Sequence, residues 1–498
     1  MHRKATPLVL ADDSAAVTTH ISLLVLTGDR VLKFRKPIVT DFCDFTTIES
    51  RLRDCEREVE LNRRLTDDVY LGVGRVEVAG LDPAEAEPCV VMRRLPEERL
   101  LSAMAAAGED LDGPVHAVAG RLATFHESAA RVTATSPDDG PRTVRERWAG
   151  AIEQLRPRVD DPAARTALDE IDDLASRWCL GRAALFRARL DDGFVRDGHG
   201  DLRAENIFVL DDGPRILDCI EFDDDLRRID VATDLAFLVM DLRRLGRAAD
   251  AEALVEEYER ASGTSVPRGL LDHDVAYWAL VRAKVAHLRA TQGEPSAGAQ
   301  AAELESLALD QLRRARVRLV VMGGLPGTGK STVARHLAAT TGWAVVSSDQ
   351  VRKELAALPA TARTGDPYGA GLYRPDRVAA TYTEMLRRAR RCLEHGRSVI
   401  LDASWSRSSD RADAASLALV SDAALHEIRC TVDEAVAHDR IVTRSQAGTD
   451  ASDADLAIAR RMAANYEPWP TATMLDTASA VDATTARLRD ALGVAERA

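Results

Sequence analysis

Residues 324–331 read Gly324-Leu325-Pro326-Gly327-Thr328-Gly329-Lys330-Ser331. This is the G-x-x-x-x-G-K-[ST] pattern of a phosphate-binding loop. The run Arg318-Leu319-Val320-Val321-Met322 before it reads as a buried strand, and Ser331 to Thr340 after it reads as a helix. Strand, glycine-rich loop and helix in that order are what the chemistry needs. The glycines let backbone N–H groups close around phosphate oxygens, and the helix N-terminus adds partial positive charge. On this reading the stretch from Gly324 to Thr332 lines a nucleotide's phosphates, Lys330 reaches the β- and γ-phosphates, and Ser331 holds Mg²⁺.

Downstream, a strand at Trp343–Ser347, helices, a strand at Ser398–Asp402, a helix, a strand at Leu425–Val432 and a further helix follow. Alternation of this kind predicts a parallel α/β sheet over residues 317–498. Val399-Ile400-Leu401-Asp402 is a hydrophobic run ending in a carboxylate, so Asp402 is expected to act on Mg²⁺ through its water shell. Asp349 closes the run Ser347-Ser348-Asp349, where it suits either a helix cap or a catalytic base, and Arg352 follows one helical turn later. Arg440 and Arg444 stand four apart, on one helix face. They read as arginines over a transferring phosphoryl group or as a solvated face.

Composition bounds the rest. A chain of 498 residues suggests two to four domains. It has no apolar run of about 18 residues, so no membrane span is predicted. The apolar stretch Ala5 to Ala11 is too short for a signal-peptide core, and a cytoplasmic location is expected. Seven scattered cysteines without a CxxC pair argue against zinc and against a disulfide framework. From Val317 onward 23 basic residues meet 22 acidic ones, whereas the first 316 residues carry 43 and 58. The acidic part suits a cationic substrate or a solubilising surface and disfavours a nucleic-acid partner. Only six lysines stand against 60 arginines, and Lys33, Lys36 and Lys330 are among them. A lysine in such a chain marks a place that needs a compact, mobile ammonium.

Upstream, apolar runs at His20–Leu26 and Val31–Phe34, joined by Thr27-Gly28-Asp29-Arg30, predict a β-hairpin. Helical spacing is expected over residues 49–66, 115–130, 143–190 and much of 230–315, with a strand at Pro88–Met92. Gly293 to Gly298 reads as a linker, followed by a charged amphipathic helix at 301–316. The domains expected are therefore 1–300, a linker helix 301–316, and 317–498. Residues 199–206 read His-Gly-Asp-Leu-Arg-Ala-Glu-Asn. An aspartate followed five residues later by asparagine fits the catalytic loop of kinase-like folds. Asp201 would accept the proton of an attacking hydroxyl, Asn206 would coordinate Mg²⁺, and His199 would brace the loop. Asp218, twelve residues further on, suits a second metal ligand.

The 199–206 loop resembles the HGDLHxxN pattern of aminoglycoside phosphotransferases and related small-molecule kinases. Asp230-Val231-Ala232-Thr233-Asp234-Leu235-Ala236, Met92-Arg93-Arg94-Leu95-Pro96 and Phe125-His126 extend that likeness over residues 15–290. The resemblance implies a protein-kinase-like α+β domain in which Lys33 grips the α/β-phosphates and Glu58 is its helix partner; Lys36, and Glu56 or Glu60, compete for these places. The glycine-rich cover loop of protein kinases is missing before the hairpin. The second half resembles P-loop kinases such as gluconate kinase, chloramphenicol phosphotransferase, polynucleotide kinase and zeta toxins. That likeness implies Asp349 as base, Arg352 as a substrate or phosphate clamp, and Arg440 and Arg444 as lid arginines; Arg411 follows Asp402 at a distance suited to substrate contact. The whole order resembles bacterial bifunctional aminoglycoside phosphotransferase/ATP-binding proteins of the AAA family. It implies an ATP- and Mg²⁺-dependent phosphotransferase with two sites and small-molecule hydroxyl acceptors: aminosugars, aminoglycoside-like molecules or sugar acids. A silent kinase-like sensor joined to a P-loop ATPase, a nucleic-acid end kinase and a zeta-toxin-like kinase are the alternatives.

Overall fold

The apolar runs of the N-terminal segment form an antiparallel sheet. In the computed structural model its strands are β1 (Ala15–Thr18), β2 (Ser22–Thr27), β3 (Arg30–Arg35), β4 (Tyr70–Val76) and β5 (Glu87–Arg93). They lie in the order β1-β2-β3-β5-β4. The structure describes residues 15–19, 21–39, 43–77, 86–136, 138–359, 362, 366, 369–447 and 456–494, with backbone alone at 444–447. The stretch Ala5 to Ala11 and His20 lie outside the described residues.

Gly28, at φ 53°, makes the β2–β3 turn, a conformation that costs glycine nothing. Between β3 and β4 runs the helix Ile48–Asn62, started by Thr47, whose hydroxyl accepts from the Ser50 amide at 3.1 Å. Cys55 and Val59 on this helix pack against Val69, Tyr70, Val90 and Leu95. That packing fixes which way Glu58 points. Short pairs follow: β6 (Val195–Asp197) with β9 (Arg228–Asp230), and β7 (Ile207–Leu210) with β8 (Gly213–Ile216). The β7–β8 hairpin carries the 199–206 loop at one end and Asp218 at the other.

In the C-terminal segment β10 (Arg318–Gly323), β11 (Ala344–Ser347), β12 (Val399–Asp402), β13 (Ala424–Thr431) and β14 (Thr473–Asp476) form a parallel sheet in the order β11-β12-β10-β13-β14. β10 is buried along its whole length, as a central strand covered on both faces must be. Val320, Met322, Ile400 and Ile428 pack on one face and Val321, Leu401 and Trp405 on the other. Loops at the C-terminal edge of such a sheet are where ligands bind.

Residues 1–135, 189–266 and 274–307 make one packing unit; residues 136–188, 267–273 and 308–498 make the other. The helix Pro162–Gly181 belongs to the second. Gly181 lies against the Ser421 carbonyl, and Arg182 donates to that carbonyl at 2.5 Å and to the Asp422 carbonyl at 3.3 Å. Among the described residues no helix is long and apolar enough to cross a membrane.

Candidate active sites

In the first unit β3 presents Lys33 to the helix Ile48–Asn62. Lys33 Nζ donates to Glu58 Oε1 at 2.9 Å and to Asp218 Oδ1 at 2.6 Å. Of the acidic residues in competition, Glu58 is thus the one that meets the lysine. Lys36 turns away to the Thr19 carbonyl. Burial works against the Lys33 ammonium, but Asp218 and Glu58 outweigh it and hold its acidity well below that of a free lysine. Lys33 in turn holds the Asp218 carboxyl well below the usual carboxylate range. Asp218 stands at φ 65°, an unusual conformation for a residue with a side chain, and its amide donates to the Tyr70 hydroxyl at 3.1 Å.

Behind this pair lies a cluster that sequence spacing did not reveal. The carboxylates of Asp54, Glu58 and Glu221 come within 4.8 Å of one another. The guanidinium of Arg35 sits among them, donating to Glu58 Oε2 at 2.6 Å and pairing with Asp54 and Glu221. This arginine supplies the neutralising charge there. Burial still pushes the Glu221 carboxyl up to about 8, against the pull of Arg35. Alternation along β3 could have flagged Arg35, which shares a strand face with Lys33; its three partners are distant in sequence.

The 199–206 loop is anchored from below. Asp234, on the helix Val231–Arg244, accepts from the amides of His199 at 2.7 Å and Gly200 at 3.0 Å and pairs with His126 Nε2 at 3.1 Å. His199 braces the turn: its Nδ1 accepts from the Asp201 amide at 3.2 Å and its Nε2 meets the Leu217 carbonyl at 3.0 Å. Burial lowers the pKa of His199, which favours the neutral ring needed to accept at one nitrogen and donate at the other. Asp201 is engaged as well. Arg203 donates to both its oxygens, at 2.8 and 2.7 Å, and Asn206 Nδ2 donates to Oδ2 at 3.0 Å. Arg203 replaces the second histidine of the HGDLHxxN pattern. β1 and β2 are joined by residues 19–21 alone, with no glycine.

In the second unit β10 ends at Gly323 and the helix Lys330–Thr341 begins at the signature lysine. Gly324 has φ 140°, and an added Cβ would stand 2.7 Å from both the Cys430 carbonyl and the Thr328 hydroxyl. Gly327 has φ 83°, with the Ala437 carbonyl 2.5 Å from where its Cβ would be. The loop therefore requires glycine at these positions. The Thr332 amide donates to the Gly329 carbonyl at 3.1 Å, whereas the amides of Lys330 and Ser331, at the very start of the helix, have no carbonyl one turn back within it. Lys330 makes no ion pair among the described residues. Asp402 pairs in register with Met322 on one side and Ser347 on the other, at the C-terminal edge. Its Oδ1 is buried and has no hydrogen-bond partner among the described residues. Burial raises its pKa, opposed by the Lys330 ammonium and the Ser331 and Ser347 hydroxyls beside it.

Asp349 lies in the first turn of the helix Ser348–Leu355, where it accepts from Arg352 at 2.7 Å; the residue at the N-cap position is Ser347. Arg440 lies over the phosphate loop: its NH1 is 3.3 Å from where a Cβ on Gly329 would stand, and its NH2 donates to the Thr477 carbonyl at 2.8 Å. The Thr477 hydroxyl binds the Thr328 carbonyl at 2.7 Å, so both brace the loop. Arg444 belongs to the same helix, Glu434–Ala447, and its side chain lies outside the described residues. Arg411 does not join this group. It is buried and spends its guanidinium on the Trp405 carbonyl at 2.8 Å and the Pro468 carbonyl at 2.7 Å, over the Trp469 ring. The donors that are engaged turn to backbone carbonyls in the interior, where the side chain is buried against an aromatic ring.

Residues 24–270 match the profile of the Phosphotransferase enzyme family, and residues 319–469 match that of an AAA domain. Uncharacterised proteins of Mycobacterium tuberculosis and Mycobacterium bovis are each 41% identical over 464 residues, spanning 92% of this chain and 91% of theirs. The chain belongs to that family. It joins a phosphotransferase domain of kinase-like fold to a P-loop domain of kinase type, and both kinds of domain use ATP. Among solved structures it is similar to a choline kinase from Cryptosporidium parvum, at 11% identity and a TM-score of 0.41, covering 60% of this chain and 89% of that one. It is also similar to an APS kinase of Mycobacterium tuberculosis solved with AMPPNP and APS, at 18% identity and a TM-score of 0.27, covering 36% and 98%.

Proposed function

We propose that the chain carries two separate Mg-ATP sites, each moving a γ-phosphoryl group to a hydroxyl of a small molecule. The observation that carries this is the convergence of two full sets of groups: Lys33, Glu58, Asp218, Asp201 and Asn206 in one unit, and Lys330, Ser331, Asp349 and Asp402 in the other. Asn206 and Asp218 would hold Mg²⁺ in the first site. In the second, Ser331 and the partnerless Oδ1 of Asp402 are oxygen donors that fit the same ion. Bound Mg²⁺ would neutralise charge on the phosphates. Lys33 would grip the nucleotide phosphates while Glu58 holds it in place, and Asp201 would take the proton of the acceptor hydroxyl. In the second site Lys330 would bind the terminal phosphates, Asp349 would take the acceptor proton, and Arg440 would face the transferring group.

The acidic character of the first 316 residues supports a cationic acceptor, such as an aminosugar or an aminoglycoside-like molecule, for the first site. The seven cysteines form no disulfide among the described residues, which goes with a cytoplasmic location. A second reading has one observation in its favour. Both oxygens of Asp201 are occupied by Arg203 and Asn206, as they would be in a kinase-like domain that only senses a ligand.

Phosphoryl transfer followed by mass spectrometry separates the two. Wild type, Asp201→Asn and Lys330→Ala are incubated with Mg-ATP and a panel of aminosugars, aminoglycosides, sugar acids and oligonucleotides. Loss of a different product in each variant supports two kinase sites. If Lys330→Ala abolishes all turnover and Asp201→Asn changes nothing, the first unit is a sensor.

A further inference from the structure

Beside the second site stands an arginine without a counter-ion among the described residues. Arg429 pairs in register with Gly323, the last residue of β10 before the phosphate loop. Its neighbours Ile428 and Cys430 are buried with Met322 and Leu337 on one face of the sheet. Glu427 and Arg429 face the other way. There Glu427 accepts from Trp469 Nε1 at 3.0 Å, and the Arg429 guanidinium stacks 4.5 Å from the centre of the Tyr466 ring. No carboxylate among the described residues forms an ion pair with Arg429. The other arginines of this edge are occupied: Arg411 by carbonyls, Arg440 by Thr477, and Arg352 in part by Asp349.

A line of polar and aromatic groups connects Arg429 to the candidate base. The Tyr466 hydroxyl donates to the Ser404 carbonyl at 3.2 Å, and the Ser404 hydroxyl meets the Tyr382 hydroxyl at 3.2 Å. Arg352 acts electrostatically on Tyr382, stacks 4.8 Å from the Tyr373 ring, and has a buried Nε without a partner. Two guanidiniums thus approach the same edge, each on a tyrosine face, with unused donors. Stacking on an aromatic offsets only part of the cost of a half-buried cation; an anion that meets the planar fork completes it.

We infer that this edge is the acceptor subsite of the P-loop site, and that its acceptor is a small hydroxylated anion. Its carboxylate, sulfate or phosphate group lies against Arg429 and Arg352, and its hydroxyl is directed to Asp349. Arg429 is a specificity-determining residue here, and it stood out in no sequence motif. The inference rests on the phosphotransferase reading of the P-loop unit.

The test uses the full chain with the P-loop filled by Mg-ADP, and inorganic sulfate as the probe. Arginine modification by phenylglyoxal is followed residue by residue by mass spectrometry, against chloride at equal ionic strength. Sulfate is expected to slow modification of Arg429 by about tenfold, as a bidentate anion contact would. Arg352→Gln should remove most of that protection, and Arg352→Lys, which keeps the charge and the fold, should remove part of it. The inference is overturned if sulfate protects Arg429 no better than chloride, or if both Arg352 variants leave protection unchanged. Failure of Mg-ADP to bind in a Lys330-dependent manner would instead remove the nucleotide site, and the sulfate result would still report on the arginine pair.

Discussion

The two candidate sites solve one electrostatic problem in opposite ways. In the first, every charged group is already paired: Lys33 with Glu58 and Asp218, Arg35 with three carboxylates, Asp201 with Arg203. In the second, Lys330 makes no ion pair among the described residues and Asp402 keeps a bare buried oxygen. A kinase-like lobe must hold strands, helix and loop together through side chains, so its ion pairs are also its framework. A P-loop gets its framework from backbone geometry, with glycines at φ 140° and 83°, so Lys330 needs no ion pair to hold it together; the ion pair of this site, Asp349 with Arg352, lies outside the loop.

The largest expected effect tests that contrast directly. Lys33→Met should strip the cation from between Glu58 and Asp218 and lower stability by about 3 kcal/mol. Lys330→Met should leave stability within about 0.5 kcal/mol while abolishing P-loop-dependent turnover. Urea unfolding of both variants reads the difference, and equal losses would erase the contrast. Asp234→Ala comes next, at about 3 kcal/mol, because it leaves His126 and two loop amides without their partner.

Asp234 also carries a pH dependence. Burial opposes its ionisation, but the His126 hydrogen bond, the nearby imidazoles and the loop amides win and lower its pKa. A lowered carboxylate stabilises the fold above its unfolded value of about 4 and loses that contribution as pH falls through the lower folded value. Acid unfolding should therefore begin at higher pH in Asp234→Asn than in the wild type.

Glu221 gives the opposite sign. Its folded value of about 8 lies above the unfolded one, so its contribution is full in acid. It is lost between about pH 4 and 8 and is constant beyond. The melting temperature of the wild type should fall from pH 6 to 9, and Glu221→Gln should flatten that slope. The smallest effect is Arg411→Lys, expected to cost about 1–2 kcal/mol through its carbonyl bonds and to leave the acceptor KM of the P-loop site unchanged. A raised KM with unchanged stability would return Arg411 to the substrate.

What the sequence disclosed follows the same division. The phosphate loop, β10, β12 and Asp402 were legible because backbone-built sites leave fixed spacings and buried strands leave apolar runs. Asp201, Asn206 and Asp218 stood out by their spacing; Lys33 came from resemblance, in competition with Lys36, and its contacts with Glu58 and Asp218 separate the two. Arg35, Arg203 and Glu221 were not legible, since their roles come from contacts across 13 to 186 residues or from a change within the motif. β4 escaped because Tyr70–Val76 carries two glycines and a bulge between Tyr70 and Gly72, which blur alternation. β14 escaped because only Leu475 of its four residues is buried. Arg411 was assigned by spacing alone, and spacing does not report which way a side chain turns.

The most direct test is the number of nucleotides bound. Calorimetric titration of the full chain with a non-hydrolysable ATP analogue and Mg²⁺ should give two sites, with Lys330→Ala and Lys33→Ala each removing a different one. A single site in the wild type, abolished by Lys330→Ala and indifferent to Lys33→Ala, would contradict the account of two phosphotransferase centres in one chain.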